Sequence, residues 1–151
     1  MVRKTMAALM AATLLIGMTA STAFAARPLV VLPTVLTGEA ERPGPGDTDA
    51  IGVAVVVIIP RTDTICWAMK WKRVDGTVTA AHIHGPVGTD AAGPVVVPMF
   101  TEAAFAGRGF HSDCVQSAEW ADEIAANPGQ FYVNIHSSPD FGPGAIRGQL
   151  R

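Results

Sequence analysis

Residues 52–59 read Gly-Val-Ala-Val-Val-Val-Ile-Ile, a run rich in β-branched side chains that ends at Pro60. Such side chains suit a pleated sheet, and a continuous apolar run of this length predicts a central, buried strand. The next segment, residues 64–71, alternates between large apolar side chains and small or polar ones. Its apolar face consists of Ile65, Trp67, Met69 and Trp71. Alternation of period two predicts a second strand with these side chains in the core.

Outward from this pair, the chain continues as short apolar segments separated by Gly and Pro. They cover residues 29–36, 77–84, 95–100, 131–136 and 145–150. Asp75-Gly76 is typical of a hairpin turn, and it predicts that residues 77–84 return beside residues 64–71. One short helix is predicted between Ser117, as its N-cap, and Pro128. The pattern predicts an all-β fold, an antiparallel Greek-key β-sandwich with one short helix.

The first residues have the pattern of an export signal. Arg3 and Lys4 precede an apolar run from Met6 to Met18, and small residues lead to Ala23-Phe24-Ala25. A basic start, a short apolar run and an Ala-x-Ala site predict a signal peptide over residues 1–25 and a single mature domain over residues 26–151. The alternative is an N-terminal membrane anchor. The signal predicts a secreted or periplasmic protein, with no stable membrane span once the signal is removed.

Composition narrows the class of protein and the kind of partner. Of the 151 residues, 49% are hydrophobic and 16% charged, which excludes a disordered chain. The net charge of −2 gives no basic surface for nucleic acid, so the partner is expected to be a protein or a metal ion. Cys66 and Cys114 are the two cysteines, and an exported domain with two cysteines is expected to pair them. The alternative is a free, buried Cys66 beside Trp67.

The four histidines form the strongest chemical pattern in the chain. His82 and His84 make a His-x-His pair on a predicted strand, so their imidazoles share one face. His136 ends another predicted strand, and His111 lies in a stretch without clear periodicity, from which it could join as a fourth ligand. All-imidazole sites favour copper or zinc over calcium or magnesium. The alternative is that these histidines only form hydrogen bonds within the fold.

Other polar residues lie close to these histidines in sequence. Asp90, Asp113 and Asp140 are candidate hydrogen-bond acceptors for an imidazole N–H. Arg147 is expected to bind backbone carbonyls or a carboxylate, or to hold an anion near the metal. No strand–elbow–helix nucleophile turn and no Gly-rich phosphate loop is visible, so the sequence names no catalytic residue and leaves enzymatic activity open.

Three motifs in order resemble the CHRD domain, the family named after chordin. They are Ala81-His82-Ile83-His84-Gly85-Pro86, Tyr132-Val133-Asn134-Ile135-His136 and Gly144-Ala145-Ile146-Arg147-Gly148-Gln149-Leu150. The segment from Val35 to Glu41 is similar to the entry strand of that family. The resemblance spans residues 30–151 and implies an extracellular-type binding module, of the kind found in exported bacterial proteins. It implies no particular reaction.

A second, weaker likeness is to the copper–zinc superoxide dismutases, which are Greek-key sandwiches with His-x-His on a strand. The order His82, His84, His111, His136, Arg147 is similar, although the spacings differ and the zinc loop is missing. Three functions therefore stay open. The first is an exported binding module with a copper or zinc site; the others are a copper-dependent oxidoreductase and a structural or protein-interaction module without metal.

Overall fold

The computed structural model describes residues 27–151, without the side chains of residues 102–106. The signal peptide predicted over residues 1–25 lies outside the described residues. The strands are β1 (Val30–Thr37), β2 (Ile51–Ile59), β3 (Thr64–Lys72), β4 (Thr77–His84), β5 (Val95–Ala106), β6 (Gly109–Gln116), β7 (Tyr132–Ser138) and β8 (Ile146–Gln149). One α-helix, α1 (Ala121–Ala126), precedes β7. Within the described range, no helix is long and apolar enough to cross a membrane.

The strands form one antiparallel sheet in the order β5-β4-β7-β8-β1-β2-β3-β6. Its two edge strands, β5 and β6, are consecutive in the chain and are joined by only Gly107 and Arg108. Because two residues cannot span a flat eight-stranded sheet, the sheet curls until its edges approach each other. The result encloses one core, and the predicted all-β, antiparallel fold with one short helix is confirmed.

The inner face of the curled sheet holds the core, and the predicted aromatic stripe lies in it. Trp67, Met69 and Trp71 are 5%, 1% and 1% exposed. Strand β2 is central, since it pairs with β1 and β3, but only one of its faces is buried. Val53 and Val55 point outward and are 51% and 39% exposed. The prediction of a fully buried strand was therefore wrong, because an apolar run does not reveal whether both faces are covered.

Strands β3 and β4 do not form the predicted hairpin. Strand β3 pairs with β2 and β6, whereas β4 pairs with β5 and β7. Residues 73–76 connect the part of the sheet that contains β3 with the part that contains β4. Val74, within this connection, is 2% exposed. Its N–H donates to the Gly107 carbonyl, and the Asp75 N–H donates to Asp47. These long-range partners determine the path, and Asp75-Gly76 serves as a turn without a hairpin.

Strand β6 was not predicted, and the reason is its composition. Gly109, His111 and Asp113 oppose Trp71, Met69 and Trp67 of β3, so small and polar residues occupy its inner face except at Val115, which packs against the core. The period-two contrast that identifies most strands is therefore absent.

Helix α1 begins at Ala121, after a turn in which the Ala121 N–H donates to the Ser117 carbonyl. The Ser117 hydroxyl does not cap it, since no side-chain cap is present.

The cysteines are paired, as predicted. Cys66 on β3 and Cys114 on β6 lie directly opposite each other in the register and form a disulfide. The bond joins the edge strand β6 to its only hydrogen-bonded neighbour in the described sheet. It therefore secures a strand whose inner face contributes little apolar burial.

Candidate metal centre

The pleat of β4 directs both of its histidines to the outer face of the sheet. Ala81 and Ile83 are fully buried in the core, so His82 and His84, which alternate with them, project the other way. Strand β7 lies beside β4, with Asn134 opposite His82 and Tyr132 opposite His84. His136 follows on the same face of β7. This register makes β4 and the strand that contains His136 neighbours, which is the arrangement that a site shared by His82, His84 and His136 requires.

The three imidazoles converge on one another. A ring nitrogen from each of His82, His84 and His136 lies within 4.8 Å of the other two. A hydrogen bond of 3.0 Å joins Nδ1 of His82 and Nε2 of His136. The ring centroids of His82 and His84 are 5.5 Å apart, and those of His84 and His136 are 5.8 Å apart. This spacing would allow the three nitrogens to bind one metal ion after small rotations.

Backbone carbonyls orient two of the rings. Nδ1 of His84 lies 2.9 Å from the Gly93 carbonyl oxygen, and Nδ1 of His136 lies 2.9 Å from the Gly142 carbonyl oxygen. A carbonyl oxygen can only accept, so both Nδ1 atoms carry the proton and both Nε2 atoms keep a lone pair. Nε2 of His84 is buried and has no hydrogen-bond partner among the described residues. In metal-ligating histidines, the ring nitrogen that does not bind the metal typically donates a hydrogen bond, as both Nδ1 atoms do here.

The surroundings also keep the histidines neutral. Burial, together with the nearby His136 and His84, lowers the pKa of His82 to about 4. Burial lowers the pKa of His84 and of His136 as well, although their hydrogen bonds to Gly93 and Gly142 oppose the change. Neutral imidazoles offer lone pairs, so the three side chains are in the protonation state that a metal requires.

The predicted carboxylate partners of these rings are not used. Asp113 accepts a hydrogen bond from the N–H of Cys114, and Asp90 accepts one from Thr89. Within the described hydrogen bonds, Asp140 does not bind a histidine. The loops over the outer face supply the backbone carbonyls of Gly93 and Gly142 instead. Sequence could not identify these acceptors, because every residue has a carbonyl.

His111 is not brought together with the other three. It lies on the inner face of β6, opposite Met69 of β3. The indole N–H of Trp67 donates to Nδ1 of His111 at 3.1 Å, and the Phe100 ring lies 4.7 Å away. The strand that sequence analysis missed therefore places this histidine on the opposite side of the sheet from the cluster.

Arg147 supports a loop near the cluster. It is 2% exposed, and its guanidinium donates to the carbonyls of Ala91 and Gly88, which was the structural role expected for it. The guanidinium also lies 3.5 Å from the centre of the Tyr132 ring. Tyr132 stacks in turn on His84, with ring centroids 4.9 Å apart. The cation thus fixes the ring that positions His84, without lying among the three histidines.

Glu41 and Asn134 form a buried polar pair on the same face. They are 5% and 2% exposed, and Nδ2 of Asn134 donates to Oε1 of Glu41 at 2.5 Å. Gly144 makes room for them, since a Cβ at this position would lie 2.5 Å from both side chains. Sequence analysis missed both residues, although Asn134 shares the period-two face of His136. Burial of Glu41 depends on a distant loop, so no local pattern reveals it.

A second group of potential ligands consists of Asp47, Asp49 and Asp75. Asp47 is 3% exposed and accepts the Asp75 N–H at 2.7 Å, while the other two carboxylates are exposed. The burial of Asp47 is explained by its role at the crossing between β3 and β4. The histidine cluster is therefore the stronger candidate for a metal.

Comparison with protein families matches the CHRD domain over residues 32–150. The match covers nearly the whole described chain and includes the strands that carry the three histidines. Neither the comparison with curated proteins nor the comparison with solved structures gives a significant match.

Proposed function

The chain belongs to the CHRD domain family, and on that premise we propose that it is an exported binding module that holds copper or zinc. The ligands are His82, His84 and His136. The disulfide between Cys66 and Cys114 supports the exported setting, because such bonds persist in oxidising compartments.

One observation carries the proposal: the three ring nitrogens lie within 4.8 Å of one another, and Nε2 of His84 is buried without a partner among the described residues. A buried acceptor without a hydrogen bond costs free energy, and an ion would remove that cost. A purely structural cluster would be expected to satisfy this atom within the fold. Nε2 of His84 presents its lone pair without further ordering, whereas Nε2 of His136 is hydrogen-bonded to Nδ1 of His82, and an ion would replace that bond.

The donor set favours copper or zinc. Three neutral imidazoles suit these ions, whereas calcium and magnesium require oxygen ligands. When bound, copper would supply redox chemistry and zinc would supply a Lewis acid. The three histidines would hold the ion, and the carbonyls of Gly93 and Gly142 would orient the rings of His84 and His136. The sheet beneath them would exclude bulk water from one side of the ion.

The test is calorimetric titration of the metal-free protein with Cu²⁺ and with Zn²⁺. The wild type is expected to bind one ion per chain. His82→Ala, His84→Ala and His136→Ala should each weaken binding by more than the roughly 10–100-fold that is typical of losing an outer partner. His111→Ala is the matched control, because this histidine lies on the opposite face, and its affinity should equal that of the wild type.

The outcome that would refute the proposal is equally specific. If the triple alanine variant stays folded and binds either ion as tightly as the wild type, the histidines hold no metal. The structural or protein-interaction function would then be the better assignment.

A second candidate is a copper-dependent oxidoreductase, which the number of ligands favours. Three protein ligands leave a coordination position for water or substrate, as in catalytic rather than closed structural sites. Superoxide dismutation by the copper-loaded wild type, and its loss in His84→Ala, would select this function. A loaded protein without this activity would favour the binding module.

A further inference from the structure

A second buried polar atom on this face lacks a partner, and the inference drawn from it rests on the proposed metal site. Oδ1 of Asn134 is buried and accepts no hydrogen bond among the described residues. Asn134 lies directly opposite His82 in the pairing of β4 with β7, on the same face as the three histidines. Directly opposed side chains on one face lie about 5 Å apart at Cβ, so the amide borders the cluster.

Glu41 determines which way this amide is turned. Nδ2 of Asn134 donates to Oε1 of Glu41, and this oxygen can accept the bond from a carboxyl group that is ionised or that carries its proton on Oε2. Gly144 lies beside both side chains, since a Cβ at this position would be 2.5 Å from each of them. The carbonyl end therefore stays on the side of the amide away from Glu41, as an acceptor with no donor.

We propose that Asn134 is the specificity-determining residue of the metal site and that Oδ1 accepts a hydrogen bond from the external ligand on the metal. The external ligand must then carry an N–H or O–H group, as water does. An anion that only accepts hydrogen bonds, such as azide, would place a negatively charged atom against Oδ1. The binding of such an anion to the metal is therefore disfavoured. Glu41 acts as a positioning residue, since it holds Asn134 in this orientation.

The probe is sodium azide, titrated into copper-loaded protein and followed by the azide-to-copper charge-transfer band. Asn134→Ala and Asn134→Leu remove the carbonyl. A net hydrogen bond of ordinary strength corresponds to a change of about two- to tenfold, so azide should bind the variants tighter than the wild type by that factor. Exposed Asn127 is the matched control, and Asn127→Ala should bind azide as the wild type does.

Loss of Asn134 leaves Glu41 buried without its partner, so a second variant guards against misfolding. Glu41→Met combined with Asn134→Leu replaces both polar partners by apolar groups of similar shape, which is often nearly neutral for stability. It should show the same tightening of azide binding. Circular dichroism and copper calorimetry on every variant establish that the fold and the metal are retained.

The outcomes separate the two proposals. Failure of the wild type to bind copper would overturn the metal site and this inference with it. Normal copper binding with unchanged azide affinity in the folded variants would overturn this inference alone. Loss of copper from the folded variants would also overturn it, because Asn134 would then be needed for the metal rather than for its external ligand.

Discussion

Replacing Glu41 by glutamine measures the free-energy cost of burying an ionisable carboxyl group beside the histidine cluster. Burial raises the pKa of Glu41 to about 7 from an ordinary value of 4.5. The charge of Arg147 and hydrogen bonds from Arg42 and Asn134 oppose this rise without cancelling it. The folded protein therefore keeps a proton on Glu41 in a pH range where the unfolded chain has already released it.

The sign and the size of the effect follow from that difference. Between pH 4.5 and pH 7 the native state binds more protons, so raising the pH destabilises the wild type through this group. Each pH unit well inside the interval costs about 1.4 kcal/mol. With partial ionisation at both ends included, the loss between pH 5 and pH 8 is about 2.5 kcal/mol. Glutamine does not titrate, so Glu41→Gln should gain this amount relative to the wild type.

Urea unfolding at several pH values between 5 and 8 measures this difference. Glu39→Gln is the control, because the Glu39 side chain is exposed and solvent screens its charge. The stability of Glu39→Gln relative to the wild type should stay nearly constant over the same range. If the stability of Glu41→Gln relative to the wild type also stays constant, within about 0.5 kcal/mol, the argument that burial keeps the Glu41 carboxyl protonated is refuted.

Two further predictions concern the disulfide and the pH dependence of metal binding. Cys66 and Cys114 are 48 residues apart, so the double variant Cys66→Ser, Cys114→Ser should have a free energy of unfolding about 4 kcal/mol lower in the chain-entropy model. Urea unfolding measures this loss, and an unchanged midpoint would contradict the prediction. Because the pKa of His82 is lowered to about 4, and those of His84 and His136 are also lowered, protons compete weakly with metal. Copper affinity measured by calorimetry should therefore change little from pH 8 to about pH 6 and fall as the pH approaches 4, whereas a steep fall already at about pH 6.5, the ordinary pKa of histidine, would contradict the burial of these rings.

Sequence reasoning succeeded where the physics is local. The period of two in a strand determines that His82 and His84 share a face and that Ile83 points the other way. The same rule placed Trp67 and Trp71 in the core. These features depend only on the pleat, so they hold whichever strands become neighbours.

Sequence reasoning failed where a residue depends on a distant partner. Val53 and Val55 lie in an apolar run, yet no layer covers the outer face at these positions and they remain exposed. Asp75-Gly76 matches a hairpin turn, but Val74 is buried between the halves of the sheet and directs the chain across it. Turn chemistry specifies a local bend, and burial elsewhere determines which strands it joins.

The sequence by itself determined the strand faces, the family motifs and three of the candidate ligands. Tertiary structure decided that β4 and β7 are neighbours, which brings His136 to His82 across 54 residues. It also placed His111 on the inner face and buried Glu41 against Asn134. The physical reason is the distance in sequence over which each feature is determined. The pleat follows from the backbone geometry of adjacent residues, whereas strand order and burial result from the packing of the whole sheet.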